Sequence, residues 1–150
     1  MSRTSTAPTA TAAWCDLALN EGRGCPMLNH LRQRVTETLS TAKAATLSTH
    51  GAAGIQANVF ACESTGLWLY MLIPRTSDHL FNLEHKPEVV VTTEAWQLRG
   101  VACIAREQPV GLALTQQPDA AWCEVVAVRP TRLQIERQGG LGHAETIDID

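Results

Sequence analysis

The chain has 150 residues, of which 45% are hydrophobic and 18% charged, the proportions of an ordinary globular domain rather than of a disordered or membrane protein. Its net charge is −3, so no overall basic field exists to neutralise nucleic-acid phosphates. No run approaches the roughly 18 consecutive apolar residues of a membrane-spanning helix. We therefore expect neither nucleic acid nor a membrane as a partner.

The five cysteines, Cys15, Cys25, Cys62, Cys103 and Cys123, are odd in number and widely spaced. Neither a Cys-x-x-Cys pair nor a histidine at zinc-ligand spacing accompanies them, so we expect no metal site and no disulfide framework. Three of them lie in apolar runs, where a thiol usually behaves as a small buried hydrophobe. These features favour a reducing, cytoplasmic location.

The two ends of the chain differ from its middle. Residues 1–13 are almost entirely Ser, Thr, Ala and Pro, which bury too little apolar surface to offset the entropy of ordering, so we expect a disordered arm. Beyond residue 137, a Gly-Gly-Leu-Gly run and an acidic end predict a loose tail over residues 138–150. The sequence thus predicts one domain over residues 14–137.

An amphipathic helix is expected near the start of this domain. Pro26 suits the first turn of a helix, and Leu28, Leu31, Val35 and Leu39 follow at helical spacing. This apolar stripe needs a surface to cover, and the strands that follow supply one.

After Lys43 the apolar spacing changes from helical to alternating, and turn residues arrive at short intervals. This pattern is typical of an antiparallel meander. It predicts a mainly β fold, an antiparallel barrel of six to seven strands with an N-terminal helix and one short inserted helix. The predicted strands cover residues 44–49, 55–62, 67–73, 89–93, 96–104, 122–128 and 131–137, with a long loop over residues 106–120.

The third predicted strand, residues 67–73, is continuously apolar, as expected for a strand that is covered on both sides. One side faces the barrel interior. The other side requires a cover, either the first helix or a second subunit, because a contiguous apolar patch is rarely left in water. A homodimer is the favoured explanation.

A short helix is predicted between the third and fourth strands. Ser77 is a good N-cap, Asp78 complements the positive end of the helix, and Lys86-Pro87 ends it. Free backbone N–H groups at its start make a suitable seat for a phosphate, although these residues by themselves favour a plain capped helix. The side chains beside this seat are Arg75, Thr76, Ser77 and His79.

Over residues 45–105 the chain resembles a known family. The resemblance is carried by the apolar strand, the Arg75-Thr76-Ser77 cap, the run Asn-Leu-Glu-His-Lys-Pro-Glu-Val over residues 82–89 and the run Trp-Gln-Leu-Arg-Gly over residues 96–100. In this order and spacing these segments are similar to the FMN-binding split barrels related to pyridoxamine 5′-phosphate oxidase. The resemblance implies a split β-barrel that forms a homodimer.

The resemblance also implies a flavoprotein, in which FMN lies in a groove between two subunits and supports an oxidoreductase reaction at its ring. It implies no particular catalytic residue and no particular substrate. Carried over by position, the phosphate contacts are Arg75, Thr76, Ser77 and His79; Gln56, Ala57 and Asn58 lie along the flavin; and the later strand adds Trp96 and Gln97.

This sequence departs from the family pattern around the phosphate seat. Ile73-Pro74 stands where members often have Ser or Thr, and Asp78-His79 stands where they often have Arg-Lys. A neutral histidine and an added carboxylate weaken a site for a phosphate dianion, whereas Arg75 can grip phosphate oxygens in pairs. A second hypothesis therefore stays open, a split-barrel dimer that has lost the flavin and acts as a ligand-binding or structural module.

Haem is another cofactor to consider, because some split barrels bind it and the chain has five histidines. No Cys-x-x-Cys-His motif is present. The sequence also lacks a His-Glu-x-x-His motif, a phosphate loop and a Gly-x-Ser-x-Gly elbow. Hydrolase and nucleoside-triphosphatase activities therefore have no support.

Overall fold

The computed structural model describes residues 29–107, 109, 111–136 and 143–149. The predicted arm over residues 1–13 lies outside them, as do Pro26 and Leu28 of the predicted first helix. The described helices and strands are α1 (Asn29–Ser40), β1 (Ala44–Thr49), β2 (Gln56–Thr65), β3 (Trp68–Pro74), α2 (Asp78–His85), β4 (Glu88–Thr92), β5 (Trp96–Ile104), β6 (Cys123–Glu136) and β7 (His143–Asp148). Two 3-10 turns, Ala113–Gln116 and Pro118–Trp122, precede β6. Neither described helix is long and apolar enough to span a membrane.

The strands form a closed antiparallel barrel. Their hydrogen-bonded order is β3-β2-β1-β4-β5-β6, and β3 pairs with β6, so six strands close on themselves while β7 adds to the second half of β6. Closure removes the unpaired edges that an open sheet leaves. The predicted mainly β barrel with an N-terminal helix is confirmed, and α2 lies between β3 and β4 as predicted.

β6 is one continuous strand of 14 residues where the sequence predicted two strands separated at Arg129-Pro130. A proline cannot donate to a sheet ladder and usually interrupts a strand. Here Pro130 is accommodated because it faces Gly100 at a shift in the register of β5. A Cβ on Gly100 would lie 2.6 Å from the carbonyl oxygen of Arg129, so the close approach of the two strands requires glycine.

The barrel interior is filled by inward-facing side chains from all its strands. Leu47 of β1 faces Val91 of β4, and both are fully buried. Val35 and Leu39 of α1 pack onto the same core, as the helical stripe predicts. Burial of these side chains supplies the main favourable free energy of folding.

The outer face of β3 is covered by the segment that links β5 to β6. Tyr70 and Leu72 pack with Leu112 and Leu114 of the segment that links β5 to β6. The backbone N–H of Leu114 donates to the Glu63 carboxylate at 2.9 Å, which holds this segment against β2. The apolar face of β3 therefore gives no reason of its own to expect a homodimer.

The C-terminal segment contains a strand in place of the loose tail expected over residues 138–150. His143–Asp148 forms β7, which pairs antiparallel with the end of β6. Ile147 and Ile149 are both buried, and they alternate with acidic residues in the two-residue period of a half-buried strand. The domain thus continues to Ile149 instead of ending at residue 137, whereas residues 138–142 lie outside the described residues.

The described cysteines are of two kinds. Cys62 and Cys123 are free thiols, and burial raises the pKa of Cys62 to about 11. Such a thiol stays protonated at neutral pH and serves as a small buried hydrophobe, as expected. Cys103 is disulfide-bonded, in contrast to the reduced state expected for all five cysteines.

Candidate functional site

The start of α2 carries three of the predicted phosphate contacts. Arg75 and Thr76 are exposed and Ser77 is half-buried. Ser77 is the N-cap, because its hydroxyl oxygen accepts the backbone N–H of His79 at 3.1 Å, while its own N–H donates to the Pro74 carbonyl at 3.0 Å. The predicted cap is confirmed. Arg75, Thr76 and Ser77 therefore stand together at the positive end of the helix.

His79 does not lie on this surface, in contrast to its predicted role as a phosphate contact. It is only 1% exposed. Its Nδ1 lies 2.8 Å from the Thr49 hydroxyl and its Nε2 lies 2.9 Å from the side-chain oxygen of Asn58. The Phe60 ring packs edge-on against the imidazole, with centroids 5.3 Å apart. Both ring nitrogens are thus engaged within the protein, and neither is left for a phosphate.

The environment of His79 also changes its acidity. Burial lowers the pKa of His79, and the neighbouring Asp78 carboxylate opposes this shift without cancelling it. The imidazole is therefore neutral at physiological pH. A neutral, buried ring acts by accepting and donating hydrogen bonds rather than by attracting an anion.

Asn82 is a site residue that the sequence analysis did not single out. It is fully buried. Its Nδ2 donates to the Thr49 hydroxyl and to the Gly54 carbonyl, both at 3.1 Å, and its Oδ1 accepts the Ala53 N–H at 3.0 Å. A signal was available, because an asparagine between two apolar residues of a short helix needs buried partners. Asn82 ties α2 to the loop between β1 and β2.

The predicted flavin contacts on β2 lie beside the start of α2. Ala57 and Asn58 are exposed, whereas Gln56 is half-buried and its Nε2 donates to the Ala53 carbonyl at 3.1 Å. The hydrogen bond between Asn58 and His79 joins β2 to the first turn of α2. The structure therefore brings the predicted residues of β2 and those before α2 to the same end of the barrel.

The charges around Arg75 are mixed. Its Nε lies 3.3 Å from the Glu124 carboxylate, and the two side chains are 57% and 37% exposed. An exposed pair of this kind contributes at most about 1 kcal/mol, so an anion can compete with Glu124 for the guanidinium. Asp78, exposed in the first turn of α2, stabilises the helix and repels an incoming dianion. A phosphate bound here would be attracted by Arg75 and by the positive end of α2, and repelled by the carboxylates of Asp78 and Glu124.

Trp96 and Gln97 lie on β5, which is not a neighbour of β2 in the barrel. Trp96 is fully buried in the core, and its indole Nε1 has no hydrogen-bond partner among the described residues. Gln97 is half-buried, with its Nε2 3.5 Å from Gln134 Oε1. Leu98, next to Gln97, lies in the same cross-strand row as Asn58, but β1 and β4 stand between β5 and β2, so three inter-strand spacings of about 4.8 Å separate the two strands. Within one chain they do not join the other predicted contacts, and Trp96 has no surface to offer a ligand.

The exposed groups at the start of α2 fit a flavin phosphate in their chemistry. A guanidinium, two hydroxyls and the N–H groups of a first helical turn are the donors that hold phosphates in proteins. The part of the chain that the structure describes contains no group of three His, Cys, Asp or Glu side chains placed to hold a metal ion.

Comparison with solved structures relates this barrel to known proteins. General stress protein 26 from Bacillus anthracis superposes with a TM-score of 0.59 at 15% identity, over 79% of this chain and 98% of that one. A protein related to general stress protein 26, of the pyridoxinephosphate oxidase family, from Clostridium acetobutylicum gives 0.55 at 12% identity, over 81% and 94%. A heme binding protein from Mycobacterium smegmatis gives 0.57 at 18% identity, over 81% of this chain and 59% of that one.

At these identities the comparisons show the fold alone. No family model matches the sequence, and no curated protein is similar to it. The chain therefore has the split-barrel fold of pyridoxamine 5′-phosphate oxidase-like proteins, as the resemblance of its sequence implied. Because a heme binding protein shares this fold, the fold by itself does not select the cofactor.

Proposed function

We propose that this chain is an FMN-binding flavoprotein of the pyridoxamine 5′-phosphate oxidase-like class, which works as a homodimer in an oxidoreductase reaction. The observation that carries the proposal is the hydrogen bond between His79 and Asn58. It holds the exposed surface of β2 beside the exposed start of α2. Phosphate donors next to a strand surface suit a ligand with an anionic tail and a flat ring.

The phosphate of FMN would be held at the start of α2. Arg75 would supply the positive charge, and Thr76 would supply a hydroxyl. The Ser77 oxygen already accepts from His79 N–H, so its hydrogen remains to donate to a phosphate. The side chain of Asn58 would contact the ring, and the backbone of β2 at Ala57 would lie along it, because the two side chains point to opposite faces of the strand. Bound FMN would supply hydride or electron transfer, and the protein would hold and orient it.

The surface that would form the homodimer is the outer face of β2. Ile55 is 85% exposed and Val59 is 66% exposed, with the exposed Ala57 between them on β2. Val59 pairs with Thr46 of β1, which places it on the outer face of the sheet. Exposed apolar side chains grouped in this way mark interaction sites. We propose that two copies meet along this face, with FMN in the groove between them.

A second candidate is a split-barrel dimer that binds no flavin and serves as a ligand-binding or structural module. The burial of His79 favours it, as do the Asp78 and Glu124 carboxylates near Arg75. Haem is a ligand to test under this alternative, because one protein of the same fold is a heme binding protein.

Titration of the purified protein with FMN separates the two candidates. If the protein is a flavoprotein, we expect its addition to quench flavin fluorescence and a yellow chromophore to stay with it through a desalting column. If micromolar FMN shows no fluorescence quenching and no retention, the flavoprotein proposal is refuted. Retention of haemin in its place would support the second candidate.

Arg75 is the residue on which the phosphate contact most depends. We expect Arg75→Ala to weaken FMN binding by about 1.5–3 kcal/mol, the range for a hydrogen bond to a charged group, while the affinity for riboflavin changes little. Glu124→Gln removes the competing carboxylate and should tighten FMN binding. Arg132→Ala is the matched control, because Arg132 is another arginine with a partly exposed side chain, paired with Asp148 at 2.8 Å. Equal losses for FMN and riboflavin in Arg75→Ala would contradict the phosphate contact.

A further inference from the structure

A chain of buried hydrogen bonds runs from the loop between β1 and β2 to Asn58. It starts at Asn82, whose amide orientation is fixed by the backbone. The Ala53 N–H requires an acceptor, which is Oδ1 at 3.0 Å, and the Gly54 carbonyl requires a donor, which is Nδ2 at 3.1 Å. The other hydrogen of Nδ2 faces Thr49 Oγ1, also at 3.1 Å. Asn82 therefore donates to Thr49.

Because Thr49 Oγ1 accepts from Asn82, its own hydroxyl hydrogen is available to donate to His79. Thr49 is 2% exposed, and among the described residues His79 Nδ1, at 2.8 Å, is the acceptor that its single hydroxyl hydrogen meets. Nδ1 consequently carries no hydrogen. Because a neutral imidazole has one N–H, the proton sits on Nε2, which donates to Asn58 Oδ1 at 2.9 Å. The lowered pKa of His79 keeps the ring in this neutral form.

We call the hydrogen bonds that run from Asn82 through Thr49 and His79 to Asn58 the relay. The relay determines the orientation of the Asn58 amide. Its oxygen is turned toward His79, so its NH2 group is directed away from the imidazole. Asn58 is exposed, and the described residues show a hydrogen bond to its oxygen and none from its nitrogen. An unrestrained asparagine presents either group to a ligand. Here the exposed side of the amide can only donate.

We propose that His79 is a positioning residue, which presents the Asn58 amide on the surface of β2 as a hydrogen-bond donor to an acceptor atom of the bound ligand. This inference rests on the proposed function, in which the acceptor is a carbonyl oxygen or an unprotonated nitrogen of the FMN ring. A ligand without an acceptor there would leave the donor unpaired, and sites built around a buried hydrogen bond reject such analogues strongly. The relay also accounts for the inward orientation of His79.

The relay is tested first on the protein alone. Proton–nitrogen correlation NMR of the His79 ring at mildly alkaline pH reports which nitrogen carries the proton. We expect the proton on Nε2. A proton on Nδ1 would overturn the relay whether or not the protein binds FMN.

The donor is tested with FMN itself. Asn58→Asp keeps an oxygen for His79 and replaces the outward NH2 with a second oxygen, so we expect FMN affinity to fall about tenfold or more, while the urea midpoint stays near that of the wild type. Gln116→Glu is the matched control, since it makes the same exchange at an exposed position on a 3-10 turn. Unchanged FMN affinity in Asn58→Asp would overturn the donor assignment.

A double-mutant cycle tests whether His79 acts through Asn58. His79→Phe should weaken FMN binding several-fold in the wild-type background and add nothing in the Asn58→Leu background. An equal effect in both backgrounds would assign His79 to the fold alone. If His79→Phe does not fold, the NMR spectrum and Asn58→Asp still decide. A wild-type protein that binds no FMN refutes the proposed function and the FMN acceptor, whereas the position of the His79 proton decides the relay separately.

Discussion

A buried neutral histidine makes the stability of this fold depend on pH. Burial lowers the pKa of His79, so below the ordinary histidine pKa of about 6.5 the unfolded chain binds a proton more readily than the folded one. We therefore expect the full unfolding free energy above this pH. It should decline as the pH falls from there toward the lowered pKa of the folded state, which urea unfolding across this range measures.

Substitutions of the two histidines of α2 distinguish the pH dependence caused by His79 from a general sensitivity to acid. His79→Phe should remove most of the decline, because the buried imidazole is gone. His85→Gln, which replaces an exposed histidine at the other end of the helix, should keep it. A decline of the same size in wild type and His79→Phe would contradict the assignment to His79.

The residue roles that sequence could predict were those set by near neighbours. Ser77 was identified as a cap because its partner, the His79 N–H, is two positions away. His79 itself was placed at the phosphate because its burial depends on Thr49 and Asn58, which are 30 and 21 positions away. Trp96 was assigned to the ligand for the same reason, since only the closed barrel shows that β5 turns it inward.

At the scale of elements, β7 lies outside the closed ring of six strands but contributes Ile147 to its core. Ile147 pairs with Leu133 of β6 and is 4% exposed. We expect Ile147→Ala to lower the unfolding free energy by about 2–5 kcal/mol, the range for truncating a large buried aliphatic side chain. Thr146→Ala, on the exposed side of the same strand, should change it by less than about 0.5 kcal/mol. Equally small effects in urea unfolding would show that β7 contributes little.

Elements with a strong pattern and clear turns were predicted closely from sequence. The bounds of β1 and β5 match the predicted residues 44–49 and 96–104. β7 was missed because only two large apolar residues, Ile147 and Ile149, mark its segment, among acidic residues and after a run of glycines. Pro130 led to the prediction of two strands because its tolerance depends on Gly100, which lies 30 positions away on the neighbouring strand.

At the scale of the whole molecule, the interface that we propose on the outer face of β2 can be tested with a charge substitution. Val59→Arg places a charge where we propose that the partner packs, so we expect sedimentation velocity to show a monomer in place of a dimer. Thr65→Arg makes the same change at an exposed position at the far end of β2 and should leave the dimer intact. FMN affinity should fall together with the dimer if the groove needs both copies. A wild-type monomer would contradict this interface.

The late position of β6 in the chain delays closure of the barrel during synthesis. β6 pairs with β3, β5 and β7, and Leu69 of β3 meets Val128, which is 59 positions later (69 to 128). A ribosome therefore completes five strands before the strand that joins the two sides exists. Pairings this distant form slowly, and unpaired strand edges invite aggregation meanwhile. The nascent chain is thus most vulnerable while β3 and β5 await their shared neighbour, and chaperones would be needed most in that interval.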